Sequence, residues 1–127
     1  MTTARGSLRA VEWDGKIWAG GGNTPDGPTD TWEVFDPSTG SWTAGPTMPA
    51  QMYNFGLAVY DDGLHAIYHE NHFMLPAGAD EWETLDAPPI ARHGLGMIQL
   101  GDVMYAIAGC TEEPLVDINT VQVWSGP

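Results

Sequence analysis

Imidazoles and a carboxylate crowd one stretch of the chain, His65, His69, Glu70 and His72. These are common nitrogen and oxygen ligands of a transition metal. Their spacing argues against a shared ion. On a single strand, His65 and His69 would lie roughly 13 Å apart at about 3.3 Å per residue. The order also departs from the zincin pattern, because His72 follows Glu70 by two residues instead of three. The stretch reads as polar loop, and neither a metal nor any other cofactor is expected. Nucleophiles fare no better. Ser7, Ser38, Ser41 and Ser125 lack the Gly-x-Ser-x-Gly elbow that exposes a catalytic hydroxyl. Cys110 follows Ala108-Gly109 at a strand end and reads as a partly buried, inert thiol. Glu112-Glu113 read as solvated loop charges, and glycosidase chemistry would need two acids that converge. No catalytic residue is assigned.

Charge narrows the partners. Four Lys and Arg stand against 17 Asp and Glu, a net charge of −13. A polyphosphate partner needs cations to replace its counterions, so nucleic acid is not expected. Anionic membrane surfaces are disfavoured for the same reason. One cysteine cannot form an internal disulfide, and no apolar leader follows Met1, so a reducing, cytoplasmic setting is the default expectation. Six tryptophans argue for a packed core despite the charge.

The elements that would position any site are short. Sixteen glycines and ten prolines interrupt the chain too often for long helices. Alternating, β-rich runs are separated by turn clusters, an all-β signature. Leu8–Trp13 and Lys16–Ala19 form a hairpin about Asp14-Gly15; Thr31–Phe35 and Ser41–Ala44 follow, flanking Asp36-Pro37-Ser38-Thr39-Gly40. The hairpin returns at Leu57–Ile67 and Leu95–Ile107, and Trp42 is echoed by Trp82. A period of this length marks stacked supersecondary units.

The composite resembles Kelch repeats, the four-stranded blades of a β-propeller. Its carriers in the first unit are Asp14-Gly15-Lys16-Ile17-Trp18, Gly21-Gly22, Glu33-Val34-Phe35-Asp36-Pro37 and Trp42. The third unit keeps Arg92-His93-Gly94-Leu95-Gly96, Tyr105, Ala108-Gly109 and Val121-Gln122-Val123-Trp124. The middle unit departs most, with His69-Glu70 in place of the glycine doublet and Pro76-Ala77 in place of Asp36-Pro37. The resemblance implies a partial propeller of about three blades, spanning 1–49, 50–90 and an incomplete 91–127. Trp18, Phe35, Trp42, Trp82 and Tyr105 are expected to pack.

In Kelch-like propellers the loops entering the innermost strand and those joining the second and third strands surround the channel mouth. Carried over, the first set places Arg5, Tyr53, Asn54, Arg92 and His93 at the rim, and the second places Asn23, His69, Asn71 and Thr111 nearby. These side chains suit a peptide or a small polar ligand. The expectation is a non-enzymatic interaction module. The alternative is a propeller enzyme acting on a sugar, similar to a sialic-acid mutarotase or a copper-dependent galactose oxidase. A propeller closes with about four to eight blades. The third unit lacks a fourth strand, so the chain is expected either to be a segment of a longer propeller or to form a homodimer that completes a six-bladed ring.

Overall fold

Turn chemistry sets the strand ends. In a computed structural model describing residues 1–111 and 115–125, the hairpin tips at Asp14-Gly15, Asp61-Asp62 and Gly101 carry residues with positive φ. Glycine and Asp tolerate that region best, and it lets a tight turn match the twist of the strands it joins. Between the tips lie β1(Arg9–Trp13), β2(Lys16–Gly20), β3(Asn23–Thr24), β4(Gly27–Pro28), β5(Trp32–Asp36), β6(Ser41–Gly45), β7(Gly56–Tyr60), β8(Gly63–Tyr68), β9(Asn71–Pro76), β10(Glu83–Thr84), β11(Gly96–Leu100), β12(Val103–Ile107) and β13(Val121–Ser125). The stretch Asn23–Asp30 contains the small β3–β4 hairpin.

The larger sheets are antiparallel meanders. Their orders are β1-β2-β5-β6, β7-β8-β9-β10 and β11-β12-β13. The chain is thus all-β and built as a partial Kelch-type propeller. Among the described residues the third sheet has three strands; Glu112-Glu113 and the final Gly126-Pro127 lie outside them.

Register makes the blades comparable residue by residue. Trp13 pairs Lys16, Tyr60 pairs Gly63 and Leu100 pairs Val103 across the three hairpins. Counting back from these pairs aligns Trp18 with His65 and Tyr105, and Glu33 with Phe73 and Gln122. It also places Met52, instead of Tyr53, on the position held by Arg5 and Arg92. Tyr53 falls with Gly6 and His93.

Side-chain alternation then assigns each face. One face of blade one, with Val11, Trp13, Trp18 and Trp32, packs on Leu57, Leu64, Ala66, Phe73 and Leu75 of blade two. Trp32, 1% exposed, is the centre of this layer. Its ring lies 6.2 Å from Phe55 and 5.4 Å from Trp82, whose Nε1 donates to the Pro46 carbonyl at 3.1 Å. The opposite face of blade two, with Ala58, Tyr60 and Ile67, meets Met97, Met104, Ala106 and Trp124 of blade three. Close approach here requires Gly56, where a Cβ would sit 2.4 Å from the Met97 sulfur. Phe35 and Trp42 stack at 5.2 Å on the outer face of blade one. Tyr105 lies on the outer face of blade three, half-buried.

Candidate functional site

The entrances to the three innermost strands share one backbone frame. Ser7, Asn54 and Gly94 hold equivalent places, and all are left-handed, with φ of 53°, 51° and 65°. The Asn54 amide donates to the Ser7 carbonyl at 3.0 Å and the Gly94 amide to the Asn54 carbonyl at 2.6 Å, so the blades are chained at the entrances to their innermost strands. A second tie repeats beside it: Gly22 N–H to the Met52 carbonyl and His69 N–H to the Arg92 carbonyl, both 2.7 Å. Within blades one and three, Gly6 bridges Asn23 and His93 bridges Cys110 through paired backbone bonds of 2.8 and 3.0 Å.

This frame uses the arginines as internal clamps. Arg5 Nη1 donates to the carbonyls of Gly21 and Thr31, and Nη2 reaches Glu33 at 3.1 Å. Arg92 Nη1 makes the matching pair of bonds, to Ala108 and Thr120. Burial raises the Glu33 carboxyl, but hydrogen bonds from the Thr2 hydroxyl and amide and from the Thr3 amide, with the Arg5 charge, hold it below the usual carboxylate range. Blade three has Gln122 where blade one has Glu33. Arg92 is fully buried, and its Nε and Nη2 and both side-chain polar atoms of Gln122 have no hydrogen-bond partner among the described residues. Burial lowers the Arg92 pKa accordingly.

The sequence-derived rim residues separate by exposure. Asn23 and Tyr53 are exposed; Asn54, Asn71, His93 and Thr111 are half-buried; His69 and Arg92 are buried, and the Arg5 side chain is 1% exposed. Rings of blades two and three form a continuous strip beside these entrances. Tyr53 lies 5.5 Å from Tyr68, Tyr68 is 4.2 Å from His69, and His69 is 5.0 Å from His93. His93 Nε2 ends the strip 3.1 Å from Cys110 Sγ. His69 fills a glycine place with φ of 52°, and histidine is among the residues that tolerate this region.

Sequence reasoning missed Tyr68, which joins Tyr53 to the imidazoles. It also missed the partner of His65. Across the tight β8–β9 hairpin, His65 Nδ1 lies 2.9 Å from His72 Nε2, with both residues buried. Burial, then the nearby His72, pushes His65 down to about 4; burial also lowers His72, against a hydrogen bond at Asp86. Both rings are neutral near pH 7, so one donates and the other accepts. The signal available in the sequence was the two-residue turn His69-Glu70, which folds His72 back beside the strand carrying His65.

Known proteins echo the first blade most clearly. A family profile described as the Kelch motif matches residues 4–49. A putative F-box/kelch-repeat protein of Arabidopsis thaliana is 29% identical over 100 residues, covering 76% of this chain and 31% of the relative. Kelch-like protein 36 of Rattus norvegicus is 28% identical over 98 residues, covering 70% of this chain and 16% of the relative. The chain therefore spans less than a third of the length of these relatives. A Kelch motif thus spans the first sheet, and the blade frame of that sheet recurs in the other two, which makes the chain similar to Kelch-repeat proteins.

Proposed function

We propose that the chain is a non-enzymatic binding module that recognises a protein segment, or a small polar ligand, at the mouth of the propeller. The observation that carries this reading is the repeated rim frame. Backbone bonds and buried arginines hold it, and Tyr53, Asn54, Asn71, His93 and Thr111 lie exposed or half-buried upon it as hydrogen-bonding and stacking side chains. Kelch repeats typically serve as protein-interaction modules, which supports a protein partner. Arg5 and Arg92 contribute as internal clamps beneath the rim, with Asn23 and His69 supporting its edge. Panning the chain against a random peptide library tests the reading. Enriched peptides should lose affinity at least about tenfold with Tyr53→Ala or Asn54→Ala, the scale of an interface anchor. Peptides that bind these variants as tightly as the parent chain would refute the rim assignment.

The module also requires neighbours at its open faces. Ile98, Leu100, Ile107, Val121 and Val123 are exposed on one side of blade three. Register equates this face with the side of blade one that is buried on blade two. Terminal units of a repeat array need such cover. In this reading the cover is another blade, from a longer propeller or from a second copy that closes a six-bladed ring.

A further inference from the structure

The rim frame does not need the side chains it carries in blade three. In blade one the same paired backbone bridge joins Gly6 to Asn23, with no side-chain contribution from the glycine; in blade three it joins His93 to Cys110. There the two side chains meet, His93 Nε2 lying 3.1 Å from Cys110 Sγ. His69 at 5.0 Å and Tyr68 at 6.2 Å flank the His93 ring and fix its plane. Cys110 is only partly buried. It lines an open cleft of about 290 Å³ together with Gly94, Ala108, Gly109, Asp117 and Ile118. Gly94 leaves space at its edge, since none of the described residues lies within 4 Å of where its Cβ would stand.

A partly exposed thiol hydrogen-bonded to an imidazole has the features of a reactive cysteine. The geometry points to Cys110 as a thiol–disulfide exchange site that takes a small-molecule disulfide in this cleft, with His93 as its proton acceptor. This revises the inert thiol expected from sequence, and it stands whether or not the rim binds a peptide. The Sγ proton passes to His93 Nε2, and the sulfur electron pair attacks one sulfur of RS–SR. The S–S bond breaks and RS⁻ leaves, recovering the proton from the imidazolium. Cys110 becomes a mixed disulfide, and the other half of the reagent is reduced to RSH.

Because the chain carries −13 charge, the test uses a neutral probe, dithiodipyridine, whose released thiopyridone absorbs in the ultraviolet. His93→Gly copies the residue that blade one holds at this place, so it preserves the frame. The folded parent should react at least about fivefold faster than His93→Gly and than the urea-unfolded chain. Added imidazole should restore the rate of His93→Gly, while Cys110→Ser releases nothing under any condition. A His93→Gly rate equal to that of the parent, a folded parent no faster than its unfolded chain, or a failure of imidazole to rescue would overturn the proposal.

Discussion

Acidification should loosen the contact between blades two and three before it protonates most carboxylates. The neutral His65–His72 pair sits on the face of blade two that meets blade three, with Tyr60 5.6 Å from His65 and Trp124 5.9 Å from His72. An unfolded imidazole takes its proton near 6.5, whereas folded His65 resists until about 4. Between those values the unfolded state binds more protons, so this stability is fully present above about 6.5 and falls as pH drops through the window. At pH 4.5, His65 alone costs about 2 kcal/mol relative to pH 7. His72 adds in the same direction. Urea unfolding followed by tryptophan fluorescence at both pH values, for the parent and for His65→Phe/His72→Phe, isolates the pair from the acid residues common to both. The parent should lose about 2 kcal/mol more than the double variant on acidification. Equal losses, or a larger loss in the variant, would refute the reasoning.

Two further outcomes follow from the repeat register. Gln122→Glu gives buried Arg92 the carboxylate that Arg5 already has, and should raise stability by about 1 kcal/mol in urea unfolding; a lower midpoint would contradict the matched clamps. Gly56→Val would drive side-chain atoms into Met97 and Leu95. It should cost roughly 1–3 kcal/mol, and an unchanged midpoint would mean the two sheets do not meet there.

What was legible in the sequence was the part written as a local pattern. Asp14-Gly15, Gly21-Gly22 and the recurring hairpins give strands and blades, because turn chemistry and alternation act over a few residues. The one-residue offset between Tyr53 and Met52 needed register, which depends on pairing across the hairpin. Arg5 and Arg92 both precede an innermost strand, yet a linear reading could not show that their guanidinium groups turn inward to backbone carbonyls. The Tyr53–Tyr68–His69–His93–Cys110 strip was hidden for a related reason. Its members come from two blades and are brought side by side by the inter-blade bonds at Asn54, His69 and Gly94. Likewise Trp32 looked like one strand residue among several, although its indole is the centre of the first inter-blade layer.

The most direct test of rim recognition is a map of amide shifts in ¹H–¹⁵N NMR spectra as a library-selected peptide is titrated in. The account predicts the largest shifts at Tyr53, Asn54, Asn71, His93 and Thr111. Shifts concentrated instead at the opposite strand ends, around Asp14-Gly15, Asp61-Asp62 and Gly101-Asp102, would contradict it.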